Sequence, residues 1–367
     1  MKRLLCILST MNVGGAESFM MKLYKCLDKD KFQFDFCVNC RENFYATEIL
    51  NYGGKIYYIP AKSESIIEYI RGLYSIVKNG KYYYVMRIGD NSLSAIDLLI
   101  SKFAGAKRLI LRSSNAKSES KKNIFLNNLF KFLSISVPNV KIAPSDLAAE
   151  YTFGKNDVHN GKVVFLHNGL DISKFTFDSN IRIEMRNTLC LEKKFVVGHI
   201  GRFSKQKNHK FILEIFESLK KKQPNAILLL IGEGDLKNDI IRLVDEKKLT
   251  KYVKFLGIRK DISHLLCAMD VFLFPSFYEG MPNTVIEAQT NGLPCLISDT
   301  ITKEAAITDL VEFESLNRSC DEWSEHLLSI SRKQTSSRIF AAETMKKNGY
   351  DINQCTRIFE KIVFDKF

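Results

Sequence analysis

The chain has 367 residues, more than one ordinary core accommodates and enough for two domains of common size. Its hydrophobic content of 46% is typical of a globular protein, and it lacks the run of ~18–20 apolar residues that a membrane-spanning helix needs. Lys and Arg outnumber Asp and Glu by 24 to 14 in residues 1–170, but only by 30 to 27 in residues 171–367. The charge of the first half suits an anionic partner such as a nucleic acid, a phosphorylated substrate or an anionic membrane surface.

The beginning of the chain predicts a buried strand rather than a targeting segment. The apolar run after the first basic residues extends only from Leu4 to Leu8, which is shorter than the core of a signal peptide. We therefore expect a cytoplasmic protein whose nine cysteines are reduced. Cys37 and Cys40 form one CxxC without a second pair, which favours two small residues of a strand over a metal site.

Short apolar runs alternate with amphipathic helical patterns along the chain, which is typical of βα units around parallel sheets. In the first half we predict strands at 3–9, 34–38, 55–59 and 109–112, and a helix at 16–27. In the second half we predict strands at 195–200, 226–231, 253–256, 271–275 and 294–298, and helices at 210–222 and 235–247. The expected fold class is α/β, with two Rossmann-like, doubly wound parallel-sheet domains facing a central cleft.

A turn signal at Asn168-Gly169, followed by a polar stretch at 173–194, marks a change of domain at mid-chain. We predict a basic first domain at 1–168 and a second domain at 169–345. The remaining residues, 346–367, are expected to form a helix that packs back on the first domain.

The segment 278–288 carries the strongest chemical signal, because it follows a predicted strand and opens a helix near Asn283. Open α/β sheets bind ligands in the loops at the carboxyl ends of their strands. The helix start offers backbone N–H groups and a positive dipole end, which suit a diphosphate. Glu279 would accept hydrogen bonds from sugar hydroxyls and Glu287 from ribose hydroxyls; a capped surface helix with incidental acids is the alternative.

Two further loops carry weaker signals. Arg202 and Lys207 follow Gly201 at the end of another predicted strand, where they would neutralise a departing diphosphate. A solvated basic loop is the alternative for this charge cluster. Gly14 and Gly15 link the first strand to the first helix and permit close approach of a ligand to the backbone, although tight strand-to-helix turns commonly use glycine.

Taken together, these motifs resemble those of the family 4 retaining glycosyltransferases. The resemblance covers residues 14–287 and rests on order and spacing. The motifs that carry it are Gly14-Gly15-Ala16-Glu17, Asn168-Gly169-Leu170-Asp171, Gly201-Arg202-Phe203 with Lys207, Gly232-Glu233-Gly234, and Glu279 with Glu287.

The resemblance implies the GT-B fold, with the donor held mainly by the second domain, 169–345, and the basic first domain, 1–168, on the acceptor side. It implies that Arg202 and Lys207 grip the diphosphate, Glu279 the transferred sugar and Glu287 the ribose. Residues 255–258 fall where this family reads the base through backbone groups. The further donor-binding residues that it implies are Gly14, Gly15, Gly201, Gly232, Leu256, Gly280, Met281, Pro282, Asn283 and Thr284.

The chain departs from the family pattern in the first domain. Many members carry a histidine there that contacts the donor sugar, whereas this chain has residues 111–115, Leu-Arg-Ser-Ser-Asn, and no histidine before His159. Our hypothesis is that Arg112, Ser114 or Asn115 makes this sugar or acceptor contact instead.

We expect no metal and no cofactor. The only Asp-x-Asp, at 28–30, ends a predicted helix instead of following a strand, and the histidines lack ligand spacing. The electrostatic work of a metal falls to Arg202, Lys207 and the helix start.

Residues 102–131 hold eight Lys and Arg against one acid, Glu119, and an apolar helical face follows at 125–133. This pattern indicates either a basic amphipathic helix that rests on a membrane near a lipid-linked acceptor, or a core helix with a solvated rim. A nucleic-acid partner is not expected, since no reader motif accompanies the charge.

The function implied is retaining transfer of a hexose or N-acetylhexosamine from a nucleotide-sugar to a glycan or lipid-linked acceptor in bacterial surface polysaccharide synthesis. UDP is the favoured nucleotide, and GDP-mannose is the second option. The alternatives are a GT-B UDP-sugar epimerase and a non-catalytic nucleotide-sugar binding partner in a glycan assembly complex.

Overall fold

A computed structural model of the chain describes residues 1–12, 14–89, 92–114, 127–332 and 336–365. The chain divides into two compact units: Met1–Leu170 with Gly349–Phe367, and Asp171–Asn348. The first boundary lies two residues after the one predicted from the Asn168-Gly169 turn, and the second lies three residues after its predicted position.

The described residues of the first unit form a seven-stranded sheet. Its strands pair in parallel in the order β3-β2-β1-β4-β5-β6-β7, so the strand order reverses between the first and fourth strands. The strands are β1 (Lys2–Ile7), β2 (Phe32–Val38), β3 (Ile56–Tyr58), β4 (Tyr84–Gly89), β5 (Arg108–Ser113), β6 (Val140–Ala143) and β7 (Val164–Phe165).

Three of these strands, β4, β6 and β7, were not predicted. β4 carries Arg87 in mid-strand, and a charged residue there disguises a buried strand in the sequence. The Arg87 guanidinium is nevertheless accommodated, because it lies 2.9 Å from the Asp97 carboxylate and donates to Ile7 O at 2.9 Å. β7 has only two residues and gives almost no pattern.

Helices cover both faces of this sheet. Leu4 and Cys6 of β1 face one layer, whereas Leu5 and Ile7 face the other, as the alternation of a strand requires. The helices are α1 (Gly15–Cys26), α2 (Ala46–Asn51), α3 (Ile66–Asn79), α4 (Ala95–Phe103), α5 (Lys131–Ser136), α6 (Asp146–Phe153) and α7 (Lys155–His159). α1 packs on the Leu4 side, and α3 to α6 pack on the Leu5 side.

The described residues of the second unit form a parallel sheet of six strands in the order β10-β9-β8-β11-β12-β13. The strands are β8 (Phe195–Ile200), β9 (Ala226–Ile231), β10 (Val253–Phe255), β11 (Val271–Phe274), β12 (Cys295–Ser298) and β13 (Val311–Glu314). The helices are α8 (Ile172–Phe175), α9 (Ser179–Thr188), α10 (His209–Lys222), α11 (Lys237–Glu246), α12 (Ile262–Ala268), α13 (Asn283–Thr290), α14 (Cys320–Arg332) and α15 (Ser336–Lys347). β8 and β9 have the predicted bounds, and β13 was not predicted.

The last helix, α16 (Ile352–Phe364), belongs to the first unit. Two cationic side chains meet the carbonyl groups at its end, where the helix dipole is negative. Lys2 Nζ donates to Phe364 O at 2.8 Å, and Arg108 donates to Ile362 O at 2.5 Å. The Phe364 ring also stacks on Phe32, with 4.4 Å between ring centroids.

Within the described ranges, every helix is too short or too polar to span a lipid bilayer.

Candidate functional site

The carboxyl ends of β8, β9 and β10 lie side by side at one edge of the second sheet, and backbone hydrogen bonds connect the loops that follow them. Gly201 N–H donates to Ile231 O at 2.9 Å, and Gly232 N–H donates to Gly257 O at 2.9 Å. This edge is where a parallel sheet offers its ligand-binding loops.

Close backbone approach explains the glycines of the Gly232-Glu233-Gly234 motif. Gly232 has φ +139° and Gly234 has φ +155°, a region that L-residues rarely adopt. A Cβ at Gly232 would overlap the carbonyl oxygen of Gly201, and one at Gly234 would lie 2.5 Å from Phe203 O. These glycines therefore set the spacing of the loops.

A short turn before α10 is bonded to the loop after β11. Asn208 adopts a left-handed conformation with φ +55°, and its Nδ2 donates to Pro275 O at 3.2 Å. Gln206 Nε2 donates to Tyr278 O at 2.9 Å, and Gln206 O accepts from Phe277 N–H at 2.9 Å. Three bonds thus hold these two segments in register.

That register brings Lys207 to Glu279. Lys207 Nζ lies 2.5 Å from Glu279 Oε1, and the two side chains are only 16% and 10% exposed. The ammonium also lies 4.5 Å from the centroid of the Phe274 ring, a cation–π distance. Lys207 and Glu279, predicted as separate contacts for diphosphate and sugar, form one mostly buried ion pair.

Arg202 is placed differently from Lys207. Its side chain is 70% exposed and lies 3.6 Å from the Asp235 carboxylate, which is itself largely exposed. Such a surface pair contributes little stability, so the Arg202 guanidinium is easily drawn to another anion.

α13 begins three residues after Gly280, with Pro282 preceding its first turn. Pro282 O accepts hydrogen bonds from Val285 N–H at 3.0 Å and from Ile286 N–H at 3.2 Å. Glu287 lies in the second turn and is half-buried. Of the other residues predicted here to contact the donor, Gly280, Met281, Asn283 and Thr284 are also half-buried, whereas Pro282 is buried.

Leu256, predicted to lie beside the base, follows β10 at the same sheet edge. Its N–H donates to Leu230 O at 3.0 Å, which continues the pairing of β10 with β9. Gly257 then adopts φ +64°, and the next side chain, Ile258, is exposed.

Two histidines that sequence reasoning did not single out lie beneath this site. His199 in β8 is fully buried, and its Nδ1 lies 2.9 Å from Leu273 O. His209 at the start of α10 stacks on Phe203 at 4.2 Å and meets His199 edge-on at 4.9 Å. Burial lowers the pKa of His209 to about 4 and that of His199 well below 6.5, with the Lys207 charge acting in the same direction.

The first unit holds Gly14 and Gly15 at the start of α1. Gly14 is extended, with φ −148° and ψ 171°, and its carbonyl accepts from Ser18 N–H at 2.9 Å. A Cβ at Gly14 would overlap the Glu17 carboxylate, which folds back over the turn. Burial raises the pKa of that carboxyl group.

Arg112, one of the three residues predicted to make the sugar or acceptor contact, has a side chain that is only 1% exposed in the first unit. It donates to Asn168 Oδ1 at 2.5 Å and lies 4.4 Å from the Phe19 ring centroid. Ser114 is half-buried and donates its N–H to Gly89 O at 3.0 Å, whereas Asn115 lies outside the described residues.

Sequence reasoning also missed the residues that support the ion pair. Gln206 and Asn208 position Lys207, and Phe274 lies under its ammonium. Asn208 offers the only readable signal, because asparagine is one of the residues that tolerate a left-handed conformation before a helix.

The chain is similar in sequence to known glycosyltransferases. The family described as "Glycosyl transferases group 1" matches residues 180–349. The chain is 31% identical over 360 residues to the "Putative glycosyltransferase EpsF" of Bacillus subtilis (strain 168), covering 96% of this chain and 94% of that protein. It is 25% identical over 299 residues to the "UDP-Gal:alpha-D-GlcNAc-diphosphoundecaprenol alpha-1,3-galactosyltransferase" of Escherichia coli, covering 78% of this chain and 76% of that one.

A solved structure shares the fold across nearly the whole chain. Anabaena Alr3699/HepE, solved in complex with UDP, has a TM-score of 0.78 at 17% identity, covering 98% of this chain and 99% of that one.

Proposed function

Because the chain belongs to the group 1 glycosyltransferases and has the GT-B fold, we propose that it transfers a hexose or N-acetylhexosamine from a UDP-sugar to a glycan or lipid-linked acceptor. Bacterial surface polysaccharide synthesis is the proposed setting. The names of relatives support these finer points: one is named for UDP-Gal and a diphosphoundecaprenol-linked acceptor, and a structural neighbour holds UDP.

The observation that carries the proposal is the Lys207–Glu279 ion pair at the carboxyl edge of the second sheet. The pair joins a cation for the diphosphate to a carboxylate for sugar hydroxyls. The start of α13 lies three residues beyond Gly280, close in sequence to the same pair. Anion and hydroxyl recognition at one point is what a nucleotide-sugar requires.

In the proposed transfer, Lys207 and Glu279 have different roles. As the sugar–phosphate bond breaks, negative charge grows on the diphosphate, and the Lys207 ammonium and the exposed Arg202 guanidinium neutralise it. Those cations and the helix start supply positive charge without a metal. With the donor bound, Glu279 is occupied by hydrogen bonds from the sugar hydroxyls, so we assign it to sugar recognition and not to nucleophilic attack. This supports front-face transfer with retention of configuration over a covalent enzyme intermediate.

Thermal unfolding with UDP, GDP and ADP, each with and without EDTA, tests the donor site. A ligand at ~100 times its Kd stabilises the folded state by about 2.7 kcal/mol. We expect such a shift with UDP, unchanged by EDTA and lost in Lys207→Met. The matched control is Lys205→Met, because Lys205 lies in the same turn and is exposed.

Glu279→Gln separates binding from transfer. We expect it to keep the UDP shift, since Glu279 faces the sugar, and to lose most turnover of the UDP-sugar. Each shift is measured against the same variant without nucleotide, because loss of either partner leaves a buried charge and lowers stability by about 3–5 kcal/mol. An equal UDP shift in Lys207→Met and wild type contradicts the proposed site.

A further inference from the structure

A charged cluster of the first unit lies outside the site described above. Asp97, in the first turn of α4, has a fully buried side chain, and a different cation contacts each of its carboxylate oxygens. Lys62 Nζ lies 2.6 Å from Oδ1, and Arg87 Nε lies 2.9 Å from Oδ2. These three side chains, which we call the Asp97 cluster, together carry a net positive charge.

The Asp97 cluster lies toward the carboxyl ends of strands β1, β3 and β4. Arg87 is opposite Ile7, the last residue of β1, in the parallel register of these strands, and it donates to Ile7 O at 2.9 Å. Lys62 lies in the connection that follows β3, and Asp97 lies on the helix that follows β4. The strand order reverses between β1 and β4, and open α/β sheets bind ligands at such a switch point.

Water reaches the cations of this cluster but not the acid. The Lys62 side chain is 35% exposed and the Arg87 side chain 14%, whereas the Asp97 side chain is 0% exposed. A structural ion pair needs only one cation for this acid. Arg87 already balances Asp97, so the more exposed Lys62 ammonium is a surplus charge. The cluster therefore presents positive charge to solvent, and the buried carboxylate holds the two cations close together.

We propose that Lys62 and Arg87 form a subsite for a phosphate or diphosphate group of the acceptor. Both cations contact the same carboxylate, so one anion with several oxygens can reach both of them. A phosphate suits them better than the carboxylate of an acidic sugar, because it carries more charge and a planar guanidinium binds two of its oxygens at once. The assignment to the acceptor rests on the proposed function, whereas the anion subsite itself does not.

The charge of the whole first unit favours the same class of ligand. Residues 1–170 have 24 Lys and Arg against 14 Asp and Glu, and the closing segment 349–367 adds three of each sign. Such a surplus attracts anions over distances longer than a direct contact. The Asp97 cluster would then bind the anion at the sheet edge.

Calorimetric titration with inorganic pyrophosphate tests the subsite. The Lys207→Met background removes the donor-site cation, so that binding in the second unit does not obscure the result. We expect Lys207→Met to bind pyrophosphate, less tightly as salt is added, and Lys207→Met/Lys62→Met to bind it about tenfold or more weakly. The matched control is Lys207→Met/Lys78→Met, because Lys78 is exposed near the other end of α3, where it contacts the Tyr74 ring.

Asp97→Asn distinguishes an anion subsite from a merely structural cluster. Loss of the acid leaves Arg87 without its buried partner, so the Tm of the free protein should fall. In an anion subsite, pyrophosphate replaces the lost carboxylate and binds about tenfold more tightly, which makes the ligand-induced shift in Tm about 3–6 °C larger than in wild type. The donor site contributes equally to the shifts of both proteins. A structural cluster gives the same loss of Tm without the larger shift.

Two phosphorylated probes identify the source of the phosphate. Geranyl diphosphate represents a lipid-linked diphosphate, and glucose 1-phosphate represents a phosphorylated glycan. Tighter binding of one probe than of the other, lost with Lys62, supports the subsite and assigns the source.

Equal pyrophosphate affinity in Lys207→Met and Lys207→Met/Lys62→Met overturns the proposal. So does an Asp97→Asn protein that loses stability without gaining a larger pyrophosphate shift. The UDP shifts of wild type and Lys207→Met, measured separately, report on the donor site, so failure of the proposed function and failure of this subsite give different results.

Discussion

Acidification should weaken the second unit through His209. This imidazole is buried against Phe203 and His199, and its pKa in the folded protein is about 4, below the ordinary 6.5. Burial is the main cause, and the Lys207 charge adds to it. Between about pH 6.5 and pH 4 the unfolded chain therefore binds a proton that the folded chain does not. Stability is complete above that range and is lost as the pH falls through it.

The size of this effect follows from the two pKa values. The gap between 6.5 and about 4 corresponds to about 3 kcal/mol of unfolding free energy, since one pKa unit is worth about 1.4 kcal/mol. Most of that loss should be present by about pH 4.5, before His209 in the folded state is half protonated. For a unit of this size, each kcal/mol lowers Tm by about 2–4 °C, so Tm should fall by roughly 10 °C.

The assay compares Tm of wild type and His209→Phe between about pH 7.5 and pH 4.5. Phenylalanine can keep the stack on Phe203 but does not titrate, and carboxylates contribute equally to both proteins. The difference in Tm between wild type and His209→Phe should therefore change by roughly 10 °C over this pH range. A difference that stays flat refutes the reasoning, because His209 would then have an ordinary pKa in the folded protein.

Two further predictions concern backbone spacing and a buried cation. Gly232→Ala should lower stability by at least about 2 kcal/mol and weaken UDP binding, because its Cβ would overlap Gly201 O. The control is Gly105→Ala, because Gly105 has φ +110° but open space around its Cβ, so the loss of unfolding free energy should be smaller. Equal losses of stability in thermal unfolding would contradict the overlap. Arg112→Met should change stability by less than about 1 kcal/mol, since it removes a buried charge along with the bond to Asn168. We also expect lower turnover, because the bond to Asn168 positions the segment that ends at Leu170; unchanged turnover would show that Arg112 does not support the site.

The fold could be predicted where burial leaves a continuous apolar run. β9 is such a run and β8 is interrupted only by Gly198 and the neutral His199, and their bounds at Phe195–Ile200 and Ala226–Ile231 match the prediction. β4 and β6 are also largely buried but include Arg87 and Lys141, whose charges are matched by residues of other elements. A pattern confined to one segment does not contain those partners, so it does not reveal these strands.

The sequence indicated which residues form the candidate site better than it indicated how their side chains are arranged. Strand ends and motif spacing placed Lys207 and Glu279 at one sheet edge, but their ion pair depends on bonds from Gln206 and Asn208 to the loop after β11. The burial of Arg112 was not predictable for a related reason. A position at the end of a strand does not reveal that Asn168 and Phe19 contact the side chain.

The ion pair has a consequence for how the proposed donor is selected. In the free site Lys207 and Glu279 satisfy each other at 2.5 Å, and both are mostly buried, so separating them leaves two charges that need new partners. A nucleoside diphosphate supplies an anion for Lys207 but lacks the transferred sugar whose hydroxyls would bond to Glu279. A nucleotide-sugar supplies both a diphosphate for Lys207 and sugar hydroxyls for Glu279, so each member of the separated ion pair gains a new partner. Under the proposed function, the pair therefore favours binding of the complete donor over binding of the free nucleotide. Once the sugar has been transferred, Glu279 can pair with Lys207 again, which helps the product diphosphate to leave.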